Sequence, residues 1–209
     1  MNTLIIDCSS GLNVIILTPN NKFEYFDSDA KKQSDSLLDK IDQLLKTAGL
    51  KITDISVVAV GIGPGSFTGI RVALATAKGL AIGQKTKVVT FNSFEAVVCG
   101  ISERNYGVIT EGFGNNYYYY FKKFGKVFQG CATPDKLTVL AKDINIYSAS
   151  SIVCDKITEF SVTPAVYDAP KCVKQKIENS MFVDTNKIVP LYLRASQAEL
   201  ERLKNGNKI

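Results

Sequence analysis

With 209 residues, 45% of them apolar and 22% charged, the chain has a globular composition and room for one large domain or two small ones. Its net charge of +5 is modest and its lysines are scattered, so there is no concentrated nucleic-acid footprint. It contains no histidine, which excludes a Ser-His-Asp triad, a Cys-His dyad and a histidine-based metal site, and leaves acid–base work to Asp, Glu, Lys, Tyr or Cys.

The first half has a legible order of elements. Leu4–Ile6 and Asn13–Leu17 are apolar strands, Thr18-Pro19-Asn20-Asn21 is a turn, and Lys22–Phe26 alternates as a third strand. Ser34 is placed to cap a helix, in which Leu37, Leu38, Ile41, Leu44, Leu45 and Ala48 follow at helical spacing up to Gly49. The strand Ile55–Val60 runs into a glycine-rich turn, and a long apolar helix opens near Ser66. A strand over Lys87–Thr90 and a helix capped by Asn92 or Ser93 complete the half. Three strands on short turns, then alternating helices and strands, predict a mixed sheet with helices on its faces.

The second half begins near Asn105. Strands are expected over Tyr106–Thr110, Asn116–Phe124 and Lys126–Gly130, and Thr133-Pro134-Asp135 opens a helix. Short strands are expected at Asn145–Ser148, Ile152–Cys154 and Ile188–Leu193, and a polar terminal helix over Ala195–Lys204, while Asp155–Ser180 carries no clear pattern. The expected division is a first lobe over 1–103, a smaller second lobe over 104–193 and a tail over 194–209. The scattered Cys8, Cys99, Cys131, Cys154 and Cys172 lack a Cys-x-x-Cys pair and read as free thiols. No apolar run has the roughly 20 residues of a membrane span. The start, Met1 to Asp7, has no basic segment, so a cytoplasmic protein without membrane contact is expected.

The turn Gly63-Pro64-Gly65-Ser66-Phe67-Thr68-Gly69 follows a strand and precedes a helix, where backbone N–H groups can cradle a phosphate. It lacks the Gly-Lys-Ser/Thr of a Walker loop and the spacing of a dinucleotide fingerprint, which favours a structural turn. Gly69, Ala73, Ala77 and Ala81 lie four apart on the helix and form one flat stripe. That stripe suits either a helix of the same chain or another protein, and both readings stay open. Asp7-Cys8-Ser9-Ser10 is placed either to hold a metal–phosphate or to satisfy its own turn. Tyr117-Tyr118-Tyr119-Tyr120 reads as a strand rather than a base-stacking platform, because alternate side chains face opposite sides.

Gly63 to Arg71, continuing through Ala77-Lys78-Gly79-Leu80-Ala81, closely resembles the signature of the bacterial TsaB (YeaZ) family. Leu4–Ser10, Ser34–Leu50 and Pro190-Leu191-Tyr192-Leu193-Arg194 are similar to the family's first strand and turn, first interface helix and closing motif. The departures are Gln33, where the family often has histidine, and the run Glu111–Tyr117, where it usually shows an Asp-Ala-Arg-like sequence.

The resemblance implies an α/β fold of two ribonuclease-H-like lobes (the actin-like ATPase superfamily), with mixed sheets and flanking helices; the element order read above makes the second lobe abbreviated, a departure from the family. It also implies a non-catalytic scaffold or activator in the machinery that makes N6-threonylcarbamoyladenosine beside the anticodon of tRNAs reading codons that begin with A. The implied partners are a TsaD-like catalytic paralogue, a TsaE-like ATPase, tRNA through the complex, and a second copy when the partner is absent. No metal and no cofactor are implied, with nucleotide only in the assembled complex. The helices Ser34–Ala48 and Phe67–Ile82 would bundle with the paralogue, with Leu37, Ile41, Leu45, Arg71, Ala73, Leu74, Ala77 and Lys78 as candidate contacts. A bulky charge at Ala77 is expected to break the complex and spare the monomer. The alternative is a nucleotide-binding enzyme using Asp7 and the turn Gly63–Gly69.

Overall fold

The computed structural model describes residues 1–28 and 33–194. Two five-stranded mixed sheets are built in succession along the chain. In the first, β1 (Asn2–Asp7), β2 (Leu12–Leu17) and β3 (Lys22–Asp27) form an antiparallel meander, and β4 (Ile55–Gly61) and β5 (Lys87–Phe91) add in parallel on the other side of β1. The order is β3-β2-β1-β4-β5. The second holds β6 (Tyr106–Glu111), β7 (Tyr117–Lys123), β8 (Lys126–Ala132), β9 (Asn145–Ser148) and β10 (Val162–Pro164), in the order β10-β9-β6-β7-β8.

The pleat sends alternate side chains to opposite faces. Leu4 and Ile6 of β1 point to one face, where α1 (Gln33–Thr47) and α2 (Phe67–Gln84) cover them. Ile5, with Val57, Ala59, Val89 and Phe91, points to the other face, under α3 (Ser93–Val98) and α6 (Ala169–Glu178). The second sheet is covered on one side by α4 (Pro134–Leu140) and α5 (Ser151–Lys156). Its other side packs Tyr106, Val108, Tyr118 and Tyr120 against Phe94 and Val97 of α3. Helix α3 therefore serves both sheets, with Ala96 in the core under the first and Phe94 and Val97 in the core against the second.

Local chemistry explains the helix ends. The Ser66 hydroxyl accepts the Gly69 N–H at 3.2 Å and caps α2. Asn92 and Glu95 form a reciprocal capping box on α3. Asp168 caps α6, which has proline in its first turn. Glu95 of α3 is also paired with Lys176 of α6 at 2.9 Å.

The fold class is the expected one, and the structure corrects several details. Ile152–Cys154 is helix α5 rather than a strand, because Ser150 caps it and Val153 is buried on its inner face. Ile188–Leu193 forms no strand. Ile188 plugs the core beneath α2, and the Leu191 N–H makes a single bond to the Ile62 carbonyl. The unpatterned stretch 155–180 contains β10 and α6, and α6 packs on the first sheet although it lies beyond residue 103. The expected Ser34 cap contact and the helix Ala195–Lys204 lie outside the described residues.

The candidate partner contacts need the largest correction. Leu37, Ile41, Leu45, Ala73, Leu74 and Ala77 are all at most 5% exposed and belong to the chain's own core. The small stripe lets α2 lie close on β1 and β4, so it is spent inside the molecule. A bulky charge at Ala77 would therefore strike the core rather than a partner. Arg71 is exposed and Lys78 half-buried, and neither is in the core.

Truncating Leu37 to Ala should cost about 2–5 kcal/mol of stability, as large-to-small changes at fully buried positions do. Ala75→Ser, on the exposed side of α2, should stay within about 0.5 kcal/mol. Urea unfolding of both variants checks the assignment of the inner and outer faces.

Candidate functional site

The site is built where the glycine turn meets the first loop. Ser66 donates its N–H to the Ser9 carbonyl at 2.7 Å. Gly65 makes this approach possible, since a Cβ there would run into the Ser9 backbone, and its φ of 155° is one that side chains disfavour. On the opposite side, the Ser93 N–H donates to the Gly63 carbonyl at 2.9 Å and the Ser93 hydroxyl to the Pro64 carbonyl at 3.1 Å. The Ser9 and Ser93 hydroxyls lie 3.2 Å apart. The turn is thus tied between the β1–β2 loop and the start of α3.

Asp7 ends β1 directly beneath this junction and is 5% exposed. Its neighbour across the sheet, Gly61, leaves room for the carboxylate, because a Cβ there would collide with Oδ1. The Ser9 N–H donates to Oδ1 at 2.9 Å. The hydroxyl of Tyr167, on the segment between β10 and α6, donates to Oδ2. Burial pushes the Asp7 carboxyl above its usual value of 3.8, against the opposing pull of the Tyr167 and Ser9 hydrogen bonds. Burial, reinforced by Asp7, also pushes the Tyr167 hydroxyl well above its usual range.

A cleft of about 1220 Å³ opens between the two sheets. Asp7, Ser9, Gly65, Ser93 and Tyr167 form its floor, and Thr110–Phe113 and Ala149–Ile152 form its far wall. The first part of the drifted run, Glu111–Phe113, thus borders the cleft, and there the Arg194 guanidinium lies 5.0 Å over the Phe113 ring. Both oxygens of Asp7 carry hydrogen bonds from the protein itself, and the turn's polar groups named above are engaged with Ser9 and Ser93. With the Tyr167 hydroxyl on Oδ2 and the Ser9 N–H on Oδ1, a cation-bound phosphate would have to compete with hydrogen bonds already made within the chain, so Asp7 as it stands does not fit the nucleotide expected under the alternative reading.

A second arrangement lies on the outer side of α2. The Arg71 guanidinium stacks 3.7 Å over the Phe67 ring, and its Nε donates to the Tyr192 hydroxyl at 2.9 Å. Phe67 and Tyr192 stack with their centroids 5.2 Å apart. Arg71 has no acidic partner among the described residues. Along the same face Ala75 and Gly79 are exposed and Ile82 is 68% exposed, while Leu38 of the neighbouring α1 is 62% exposed. Sequence reasoning picked out Arg71 and Lys78 as contacts; it placed Phe67, Gly79, Ile82 and Tyr192 in the signature, the interface helix or the closing motif without assigning them to this surface, and it did not single out Ala75. The available signal was the complement of the small stripe: once Ala73, Ala77 and Ala81 face inward, helical geometry turns Ala75, Gly79 and Ile82 outward.

The four tyrosines of β7 are divided by the pleat. Tyr118 and Tyr120 join the core between the sheets, and Tyr117 and Tyr119 pack on the side of α4 and α5. They form no continuous stacking surface.

The raised carboxyl sets a pH dependence. Its contribution to stability is full below pH 3.8 and is lost as pH rises through the raised folded-state value, because the charged form is disfavoured in the fold. Asp7→Asn keeps an acceptor for Ser9 and a donor for the Tyr167 oxygen. It should melt above the wild type at pH 8, and the difference should shrink toward pH 4. Thermal denaturation across that range checks it; a wild type more stable than Asp7→Asn at pH 8 would contradict the assigned cost of burial.

Residues 28–144, more than half of the chain, match the sequence model of the family described as "TsaD: tRNA N6-adenosine threonylcarbamoyltransferase". The Escherichia coli K12 protein named "tRNA threonylcarbamoyladenosine biosynthesis protein TsaB" is 28% identical over 106 residues, covering 50% of this chain and 46% of that protein. Its Haemophilus influenzae namesake is 31% identical over 98 residues, covering 46% of this chain and 42% of that one. The chain spans about half the length of the curated relatives it matches. In structure it resembles YeaZ from Pseudomonas aeruginosa, with TM-score 0.71, 16% identity, 92% of this chain and 99% of that one covered. A P. aeruginosa protein described as similar to the peptidase YeaZ gives 0.73 and 17% with the same coverage. At such identities the likeness is one of fold. With the signature turn Gly63–Gly69 in place on that fold, the chain belongs to this family, among its TsaB (YeaZ) members.

Proposed function

We propose that this protein is a non-catalytic subunit of the machinery that forms N6-threonylcarbamoyladenosine in tRNA. It binds a TsaD-like catalytic paralogue through the outer faces of α1 and α2. The observation that carries this reading is the apolar outer face of α2, with Phe67 42% exposed, Ile82 68% exposed, and the small Ala75 and Gly79 between them. Small exposed residues let a second helix approach closely, and large apolar ones beside them gain from being covered. The names of the relatives supply the process, and the family model supplies the kind of paralogue.

A supporting role rather than chemistry agrees with two further features. The chain has no histidine, and Asp7 is closed by Tyr167 and Ser9. A TsaE-like ATPase and tRNA join through the assembled complex, and a second copy covers the same face when the paralogue is absent. Closed two-fold pairing is the common outcome for such a surface. The contacts proposed are Leu38, Phe67, Arg71, Ala75, Lys78, Gly79 and Ile82.

Two measurements test this reading. Depleting the protein should remove threonylcarbamoyladenosine from digested tRNA, read by mass spectrometry. Wild type should restore it, whereas Ala75→Arg and Ile82→Asp should not, although both variants should keep the wild-type circular dichroism. Both should also fail to co-purify with the TsaD-like protein. Normal tRNA modification after depletion would remove the proposed process, and co-purification of both variants would remove the proposed face.

A further inference from the structure

In open α/β sheets, ligands bind in the crevice beyond the carboxyl ends of the parallel strands. Asp7 stands at that end of β1, on the floor of the cleft. Its register partner on β2 is Asn13, whose side-chain oxygen is buried without a hydrogen-bond partner among the described residues and which also lines the cleft. A carboxylate and an amide oxygen are hard donors of the kind that suit a divalent cation, which usually keeps one or two carboxylates and completes its shell with phosphate oxygens and water. The start of α2, through Gly65, Ser66 and Phe67, borders the same cleft, and helix N-termini favour anions.

The corner is nevertheless closed. Tyr167 brings its hydroxyl to the second oxygen of Asp7. Its ring packs both in the core beneath the first sheet and in the core between the two sheets. The ring is therefore held from both sides, and the hydroxyl has a fixed address. We propose that Tyr167 is a built-in plug: its hydroxyl takes, on Asp7, the place of a hard cation carrying phosphate, and so keeps an otherwise oxygen-lined corner from binding one. The plug belongs to the chain itself and does not depend on the partner, so its test is separate from that of the scaffold role.

The probe is magnesium pyrophosphate, titrated by calorimetry into the isolated full chain. Tyr167→Phe removes the hydroxyl and keeps the ring. The variant should bind the probe at least about tenfold more tightly than wild type, a difference of about 1.4 kcal/mol. Adding Asp7→Asn to it should abolish the gain. Equal behaviour of wild type and Tyr167→Phe, whether both bind or neither does, overturns the proposal. A gain that survives Asp7→Asn also overturns it, because the cation would then sit elsewhere. Tyr167→Leu is tested in the same way should Tyr167→Phe fail to fold. If neither folds, the hydroxyl is a structural bond of the core rather than a plug, and the proposal falls.

Discussion

The contact between the Ser66 N–H and the Ser9 carbonyl, at 2.7 Å, is the joint from which the rest of the structure is set. It brings the glycine turn that follows β4 against the loop that follows β1, an approach that needs no side chain at Gly65. With the turn held there, α2 starts at a defined point and descends along β1 and β4 with Ala73, Ala77 and Ala81 inward. That placement decides which residues of α2 meet solvent. The same joint, with Gly61, closes over Asp7 and leaves it 5% exposed. The outer face of α2 and the floor of the cleft are two consequences of one backbone contact.

The lobes are not independent bodies joined by a linker. Helix α3 lends Ala96 to the core under the first sheet and Phe94 and Val97 to the core against the second. The chain then returns from β10 through Tyr167 to α6, which lies on the first sheet. Glu95 and Lys176 pair α3 with α6, with the lysine side chain 14% exposed, so the pair is better shielded than an ordinary surface bridge. Shared elements of this kind couple the opening of the cleft to the packing of both sheets, since packed cores resist small displacements.

Function follows from what these placements expose and what they hide. A carboxylate at the end of a central strand is a common start for phosphate chemistry, but here its oxygens are used within the chain. The features available to the outside are on α2, where the Arg71 guanidinium is oriented by Phe67 and Tyr192 and flanked by small residues. An oriented guanidinium loses less freedom on meeting a partner than a loose one does. Such a surface suits recognition more than catalysis, in keeping with the proposed scaffold role.

Much of the fold was legible in the sequence because its signals are local. The apolar runs of β1 and β2, the alternation of β3, the spacing of Leu37, Ile41 and Leu45, the helix starts near Ser66 and at Asn92 or Ser93, and the glycines of the turn each depend on neighbours a few residues away. The family signature was legible for the same reason. The short elements after residue 150 were not, because Ile152–Cys154 and Ile188–Leu193 are apolar runs too short for periodicity to separate strand, helix and plug. The candidate site divides in the same way. Sequence alone picked out α1 and α2, Asp7 and the glycine turn, but only tertiary structure decided that the alanine stripe faces inward, that Phe67 and Ile82 face outward, and that Tyr167 closes Asp7 from 160 residues away. A helix with apolar residues nearly all round has no preferred inner face by itself; the sheet it lands on chooses one.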